Sequence, residues 1–292
     1  MTEHCTAIAL EEVFVRSPDG VHWSPAGFSE EFWQRYTSVF DNVSVIARVR
    51  HGLPPSNAVL VPAGIEFYEI PAYSGLLRSL MYAPFLFFRA ISMPRKSLSI
   101  LRAPGVISLV FGLVFYLKNH DYAVELVGDI DDVLKAILPR WIFFLISKPV
   151  LFLTQLVVRN ALGVAYVTSS TLQEKYPSGQ HKVTASYSSV LINEVSPERP
   201  PIKTGESLGI ISVGTLTQRY KGFDTLIKAI GVLTEKGVDV RSVIVGEGPL
   251  VQEYKELAGS LGVLDRVVFS GRHSRDEVLK YMDLTDLYVS AS

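Results

Sequence analysis

The sequence holds a single cysteine, Cys5, among 292 residues. One thiol cannot close an intramolecular disulfide or supply a multi-cysteine zinc site, and so little cysteine fits a reducing compartment. An excess of either charge is missing too, since 28 Lys and Arg against 29 Asp and Glu leave a formal net charge of −1. Nucleic-acid binders neutralise phosphates with clustered positive charge, so no nucleic-acid partner is expected. With 48% hydrophobic and 20% charged residues, the chain has the opposite balance to a disordered one. Its length suits about two domains, each able to bury a core without staples. There is no Walker A sequence, no Gly-x-Ser-x-Gly elbow and no His-Glu-x-x-His. The histidines at 4, 22, 51, 120, 181 and 273 show no metal-ligand spacing, so neither a metal nor a cofactor is expected.

Long uninterrupted apolar runs are scarce, although the mean hydropathy of +0.26 is high for a plainly soluble chain. The first residues have no basic region and no long apolar core, so they do not read as a signal peptide. Residues 106–117 are uncharged but too few to cross a bilayer, and 141–158 carry Lys148 and Pro149 at their centre. Acidic residues are absent from 70–120, where Arg78, Arg89, Arg95, Lys96, Arg102 and Lys118 are basic. A second acid-free window, 133–173, holds Lys135, Arg140, Lys148 and Arg159. Both windows are rich in aromatic and aliphatic residues. They read either as buried helices with basic exposed positions or as an interfacial surface meeting anionic lipid.

Residues 7–15, 43–49 and 58–67 have strand character, and 29–40 read as a helix capped by Ser29. Residues 122–126 form a buried-strand pattern leading to Gly128 and Asp129, the kind of strand exit where open α/β sheets place ligand contacts. A short strand at 165–168 precedes a Ser/Thr cluster, and the polar, proline-rich stretch 195–206 is the best linker. Beyond it, strands at 208–213, 240–245, 266–270 and 286–290 alternate with helices at 224–236 and 250–261 and one opened by a Ser274–Glu277 capping box. Such alternation means an α/β fold with a parallel, doubly wound sheet and its loops gathered on one edge.

Gly246-Glu247-Gly248 follows a strand and opens a helix, but Val251 stands where a dinucleotide fingerprint needs its third glycine. The stretch from Gly214 to Gly222 carries more chemistry. A glycine at a strand exit lets backbone approach a ligand, and Arg219 and Lys221 arrive just before a helix N-terminus. Two cations beside helix amides suit a diphosphate.

Val213-Gly-x-Leu, Lys221-Gly222-Phe-Asp-x-Leu, Val-Ile-Val-Gly246-Glu-Gly-Pro-Leu, Val-Val-Phe-Ser-Gly271 and Asp286-Leu-Tyr-Val-Ser290 follow one another at set spacings. Together they resemble the donor domain of family-4 glycosyltransferases, also called glycosyltransferase group 1, which are retaining enzymes of GT-B fold. Upstream, Leu101-Arg102-Ala-Pro104, Gly128-Asp129, Ala165-Tyr-Val-Thr168 and Tyr176-Pro177 are similar to the acceptor domain of members that assemble bacterial polysaccharide. The resemblance implies two Rossmann-like domains with parallel sheets: an acceptor-binding domain at 1–200 and a donor-binding domain at 205–292, the second incomplete.

The activity so implied moves a sugar from a nucleotide-diphosphate sugar to a saccharide or lipid-linked saccharide, with no metal. Lys221 takes the family's lysine role on the diphosphate. The position after Gly214, often Arg in the family, is Thr215 here, so its role is vacant or passes to Arg219. Gly246, Glu247, Gly248, Gly271 and Arg272 would lie beside the nucleotide base, and Asp129 matches a polar cleft position where members often carry His. The family's Glu-Gly signature and its second Glu come after the strand matched by 286–290, and the sequence ends at Ser292. The expectation is therefore a shortened donor domain that is not itself a competent transferase. A cytoplasmic protein, peripheral on an anionic membrane, completes the reading. Its rivals are a non-catalytic nucleotide- or sugar-binding fragment and a GT-B nucleotide-sugar epimerase.

Overall fold

Stretches with an apolar period of two alternate with stretches of period 3.6, and the computed structural model turns them into strands and helices in that order. It describes residues 5–25, 28–56, 58–73, 75–94, 98–180, 182–188 and 207–291, with the backbone alone at 76, 77 and 80. The candidate linker 195–206, His4, Arg95, Lys96 and His181 lie outside the described residues, while Arg78 of the first turn of the helix Leu76–Ile91 is exposed. Two units divide the chain, Met1–Leu191 and Ile192–Ser292.

The first unit opens with β1 (Cys5–Arg16), β2 (His22–Ser24), α1 (Glu30–Thr37), β3 (Asn42–His51), β4 (Val59–Leu60), β5 (Glu66–Pro71) and α2 (Leu76–Ile91). It continues with β6 (Leu98–Ala103), α3 (Val106–Lys118), β7 (Tyr122–Leu126), α4 (Ile130–Ile137), α5 (Arg140–Asn160), β8 (Gly163–Tyr166), α6 (Thr171–Lys175) and β9 (Val183–Ser186). The parallel strands run in the order β5-β3-β1-β6-β7-β8-β9, the doubly wound pattern in which the chain winds outward from β1 in both directions. Its topological switch point lies between β1 and β6. β2 and β4 extend the outer half of β1 as antiparallel partners.

Two expectations need correction. The single strand at 58–67 is two strands on different partners, β4 on β2 and β5 on β3. Pro62 offers no N–H and Gly64 takes φ +90°, so the chain turns between them instead of continuing the ladder. β1 is also irregular: Ala9 faces Ile46 and Val13 faces Arg48, so Leu10, Glu11 and Glu12 bulge opposite Ala47 alone.

The sheet buries apolar side chains on both faces. On one face Leu101, Val124, Phe111, Phe115 and Val158 pack beneath α2, α3 and α5. On the other, Phe14, Phe28, Phe32 and Trp33 form an aromatic group, with Phe28 and Phe32 edge to face at 4.6 Å. Truncating Trp33, 1% exposed, to Ala should cost about 3–5 kcal/mol.

In the second unit β10 (Leu208–Val213), α7 (Phe223–Glu235), β11 (Val240–Val245), α8 (Val251–Ser260), β12 (Val267–Gly271), α9 (Arg275–Leu284) and β13 (Leu287–Tyr288) alternate. Its sheet is parallel, in the order β12-β11-β10-β13. Leu226, Ile227 and Ile230 of α7 and Tyr254 of α8 bury against Ile210 and Ile244. α9 begins with the expected capping box: the Glu277 N–H donates to Ser274 Oγ and the Ser274 N–H to Glu277 Oε2.

Candidate functional site

A parallel sheet gathers its strand exits on one edge, and in the second unit hydrogen bonds stitch those exits into a ledge. The Gly214 N–H donates to the Val245 carbonyl at 3.0 Å, Leu216 to Glu247 at 2.9 Å, and Gly246 to Gly271 at 2.8 Å. The glycines make this approach possible. A Cβ on Gly246, at φ +146°, would lie 1.8 Å from the Gly214 oxygen, and one on Gly248 2.2 Å from the Leu216 backbone. Buried Leu216 anchors the underside of the ledge. Sequence reasoning read these glycines as room for a nucleotide; in the structure they first make room for one another.

Lys221 comes to the same ledge. An added Cβ on Gly214 would lie 4.0 Å from Lys221 Cδ and 3.3 Å from the Phe223 ring, so the lysine stem runs past the strand exit. Its ammonium sits 5.0 Å from the Tyr220 ring centre. Gly222, at φ +69°, then turns the chain into the first turn of α7, and a Cβ there would meet the Ala291 oxygen at 2.1 Å. Gly214, Thr215, Lys221 and the α7 N-terminus thus share one corner, and Glu247 reaches toward Gly271. Thr215 and Arg272 are exposed. Arg219 is held elsewhere: its guanidinium grips Glu253 of α8 in two contacts, at 2.6 and 2.8 Å. The phosphate role passed to it would require that pair to open.

In the first unit Asp129 stands where β7 ends and α4 begins. Its Oδ1 caps the helix by accepting from the Asp131 N–H at 2.9 Å and also accepts from the Tyr176 hydroxyl at 2.7 Å. The Lys175 ammonium donates to both oxygens, and to Asp131 as well. Burial opposes the charge of Asp129, yet Lys175 and Tyr176 prevail and hold its carboxyl below the usual range. This carboxylate is engaged in holding the loop.

Sequence reasoning missed two clusters. At the outer ends of the strands Glu69 accepts from Arg16 at 3.3 Å and lies 2.9 Å from His22 Nε2 and 3.4 Å from His51 Nε2. At the switch point Glu11 Oε1 accepts from the Ile107 and Ser108 N–H groups, at 2.5 and 3.1 Å, capping α3 from a distant strand. The signal for Glu11 was present as two acids inside an apolar strand.

The acid-free windows form α2, α3 and α5. α5 is long and apolar enough to cross a membrane by length and composition, and it also packs along α3 and α4 through Ser147, Thr154, Val157 and Val158. Its other side is open, with Trp141 71% exposed and Phe144 65%, and on α2 Phe88 is 67% exposed.

Both units are built on parallel α/β sheets, and solved structures share this fold. The lipopolysaccharide outer core galactosyltransferase WaaB superposes with a TM-score of 0.56 at 14% identity, over 99% of this chain and 74% of that one. A UDP-N-acetylglucosamine 2-epimerase superposes at 0.51 with 10% identity, over 98% and 74%. The fold is that of GT-B glycosyltransferases. Residues 197–292 match the family Glycosyl transferases group 1, so the second unit is a group 1 glycosyl transferase domain. Protein CapJ of Staphylococcus aureus is 26% identical over 278 residues, 91% of this chain and 68% of that one. A GDP-mannose-dependent phosphatidylinositol monomannoside mannosyltransferase of Mycobacterium tuberculosis is 32% identical over 90 residues, 31% of this chain and 23% of that one.

Proposed function

We propose that this glycosyltransferase chain binds a nucleotide-diphosphate sugar on the ledge of the second unit and transfers the sugar to a saccharide acceptor. The observation that carries the reading is the corner where Gly214, Lys221 and the α7 N-terminus meet. In the transfer the bond from the anomeric carbon to the diphosphate breaks, one to the acceptor hydroxyl oxygen forms, and the hydroxyl proton passes to the departing diphosphate. Negative charge grows on the departing diphosphate, and Lys221 with the first amides of α7 stabilises it there without a metal. Glu247 and the Gly271–Arg272 backbone lie beside the base, and the family resemblance supports retention of configuration.

The test is calorimetric titration of the chain with nucleoside diphosphates. Losing one charge-assisted contact costs about 1.5–3 kcal/mol, so Lys221→Ala should weaken binding about ten- to a hundredfold. Unchanged affinity removes this corner from the site. Turnover of a nucleotide sugar only when an acceptor is present separates transferase from epimerase.

The acceptor in this reading is lipid-linked and the protein sits on the cytoplasmic face of a membrane. Exposed Trp141, Phe144, Leu145 and Phe88 support this, together with Arg89, Arg140 and Lys148 on the same helices.

A further inference from the structure

In an open α/β sheet the crevice at the switch point is where ligands bind, and here the chain's own carboxylate fills it. α3 begins with Gly105, which brings no side chain to cap the helix, and Glu11 supplies the missing acceptor from the β1 bulge. The fit is tight: a Cβ on Gly105 would lie 2.0 Å from Glu11 Cγ. Around this turn stand donors that Glu11 leaves unused. Tyr73 is 3% exposed, and its hydroxyl has no hydrogen-bond partner among the described residues. Burial first and the Glu11 charge second push that hydroxyl up to about 12, with Arg48 opposing them. Arg48 lies 4.9 Å from the Tyr73 ring and donates to the Tyr73 and Glu11 carbonyls, while its Nε has no partner among the described residues.

We propose that the first turn of α3, with Arg48 and Tyr73, is a subsite for a phosphate group, and that Glu11 occupies it as an internal stand-in that the phosphate displaces. A helix N-terminus offers amides and a positive dipole end to any anion. A carboxylate brings two oxygens, of which one caps the helix here. A phosphate brings enough oxygens to take the Ile107 and Ser108 amides together with the Tyr73 hydroxyl and Arg48 Nε. With Glu11 swung out, the bare Gly105 backbone lets the phosphate close on the turn. Glu11 is also weakly held as an anion, because burial, ahead of every opposing contact, raises its pKa from 4.5 to about 7. The phosphate belongs to the lipid-linked acceptor, an assignment that rests on the glycosyltransferase reading, since the donor diphosphate has its own corner in the second unit.

The experiment uses the whole chain as wild type, Glu11→Ala and Glu11→Ala/Tyr73→Phe, melted in rising sodium phosphate at constant ionic strength. Chloride and formate are the comparison anions, and each series is run with and without a saturating nucleoside diphosphate. Glu11→Ala should melt lower than wild type and regain about 5 °C in phosphate, as ligand at a few tens of its dissociation constant gives. Calorimetry should show phosphate binding to Glu11→Ala at least about tenfold tighter than to wild type, and the Tyr73→Phe change should cut the gain. If Glu11→Ala does not fold, Glu11→Gln keeps an acceptor for both amides and serves in the same calorimetric comparison. Recovery in formate equal to that in phosphate makes the turn a carboxylate cap and overturns the proposal. So does a phosphate effect that vanishes under saturating nucleoside diphosphate. Because no arm measures turnover, failure of the transferase reading leaves the anion result standing.

Discussion

Replacing Glu11 by Gln changes one proton and almost no volume, which makes it the sharpest probe of the first unit. The carboxyl group is enclosed between the β1 bulge and α3, although the residue keeps partial surface exposure. Desolvation raises its pKa from 4.5 to about 7, against the Ser108 and Ile107 amides and Arg48, with neighbouring Glu12 adding to the rise. The folded state therefore holds this proton more tightly than the unfolded chain does. Between the two values the native protein binds more protons, so the stability Glu11 contributes is complete at acid pH. It is lost as pH rises from about 4.5 to about 7. At about 1.4 kcal/mol per pH unit the loss amounts to at most about 3.5 kcal/mol. Glutamine cannot titrate and still offers an oxygen to both amides.

Urea unfolding of wild type and Glu11→Gln from pH 5 to pH 8 isolates the effect, because titration of every other group cancels in the difference. Trp23, Trp33 and Trp141, the three tryptophans of the chain, all lie in the first unit, so their fluorescence reports that unit alone. The gap should be smallest near pH 5, widen by up to about 2.5 kcal/mol as pH rises to about 7 and change little above that, the variant becoming the more stable. Parallel curves would show that Glu11 has an ordinary carboxyl. A gap that opens toward acid would mean that Arg48 and the helix end outweigh burial, refuting the reasoning outright.

Gly246→Ala should force the first two exits of the ledge apart, lowering stability by about 1–3 kcal/mol and nucleoside diphosphate affinity with it. Gly259→Ala, where an added Cβ meets nothing within 4 Å, should instead stabilise α8 by about 0.5–1 kcal/mol in the same melts. Asp129→Ala should cost about 1–3 kcal/mol at neutral pH, and the cost should shrink as pH falls through the range in which the wild-type carboxylate is itself protonated. Equal cost at every pH would mean that the charge on Asp129 contributes nothing. Flotation with liposomes should rise with anionic lipid, fall with salt and weaken in Trp141→Ser/Phe144→Ser; binding indifferent to all three removes the peripheral surface.

The second unit was legible in the sequence because its information is local. Its first three strands end at a glycine, and the spacing of Phe223, Leu226, Ile227, Ile230 and Leu233 puts them on one face of α7, of which all but half-buried Leu233 are buried. The Ser274–Glu277 box could be read the same way, as four adjacent residues make it. The first unit depends on pairings far apart in the chain. Nothing near residue 11 indicates that its partner amides lie at 107 and 108, and an acid in an apolar run reads as an interruption. The partner of Arg219 was hidden for the same reason: its loop suggests a phosphate, and only the fold brings Glu253 within 2.6 Å.

The apolar surface and the proposed phosphate subsite belong to one helix layer of the first unit, since α3 packs against both α2 and α5. A crossover helix returns the chain to the start of the next strand, so α5, which leads into β8, has its last turns at the strand entrances. Its first turns, with Trp141, Phe144 and Leu145, therefore point toward the strand exits, the edge at which α3 begins. An acceptor with an apolar tail and a phosphate head can then satisfy both features at once, its tail held in the bilayer against exposed aromatics while its head reaches the Ile107 and Ser108 amides. A free phosphate has no use for the aromatics, and a membrane anchor alone has no use for a bare helix turn beside Arg48 and Tyr73. Their placement on the same edge is what a lipid-phosphate acceptor requires. It also implies that loss of Trp141 and Phe144 should raise the KM for a lipid-linked acceptor while leaving phosphate binding at α3 intact.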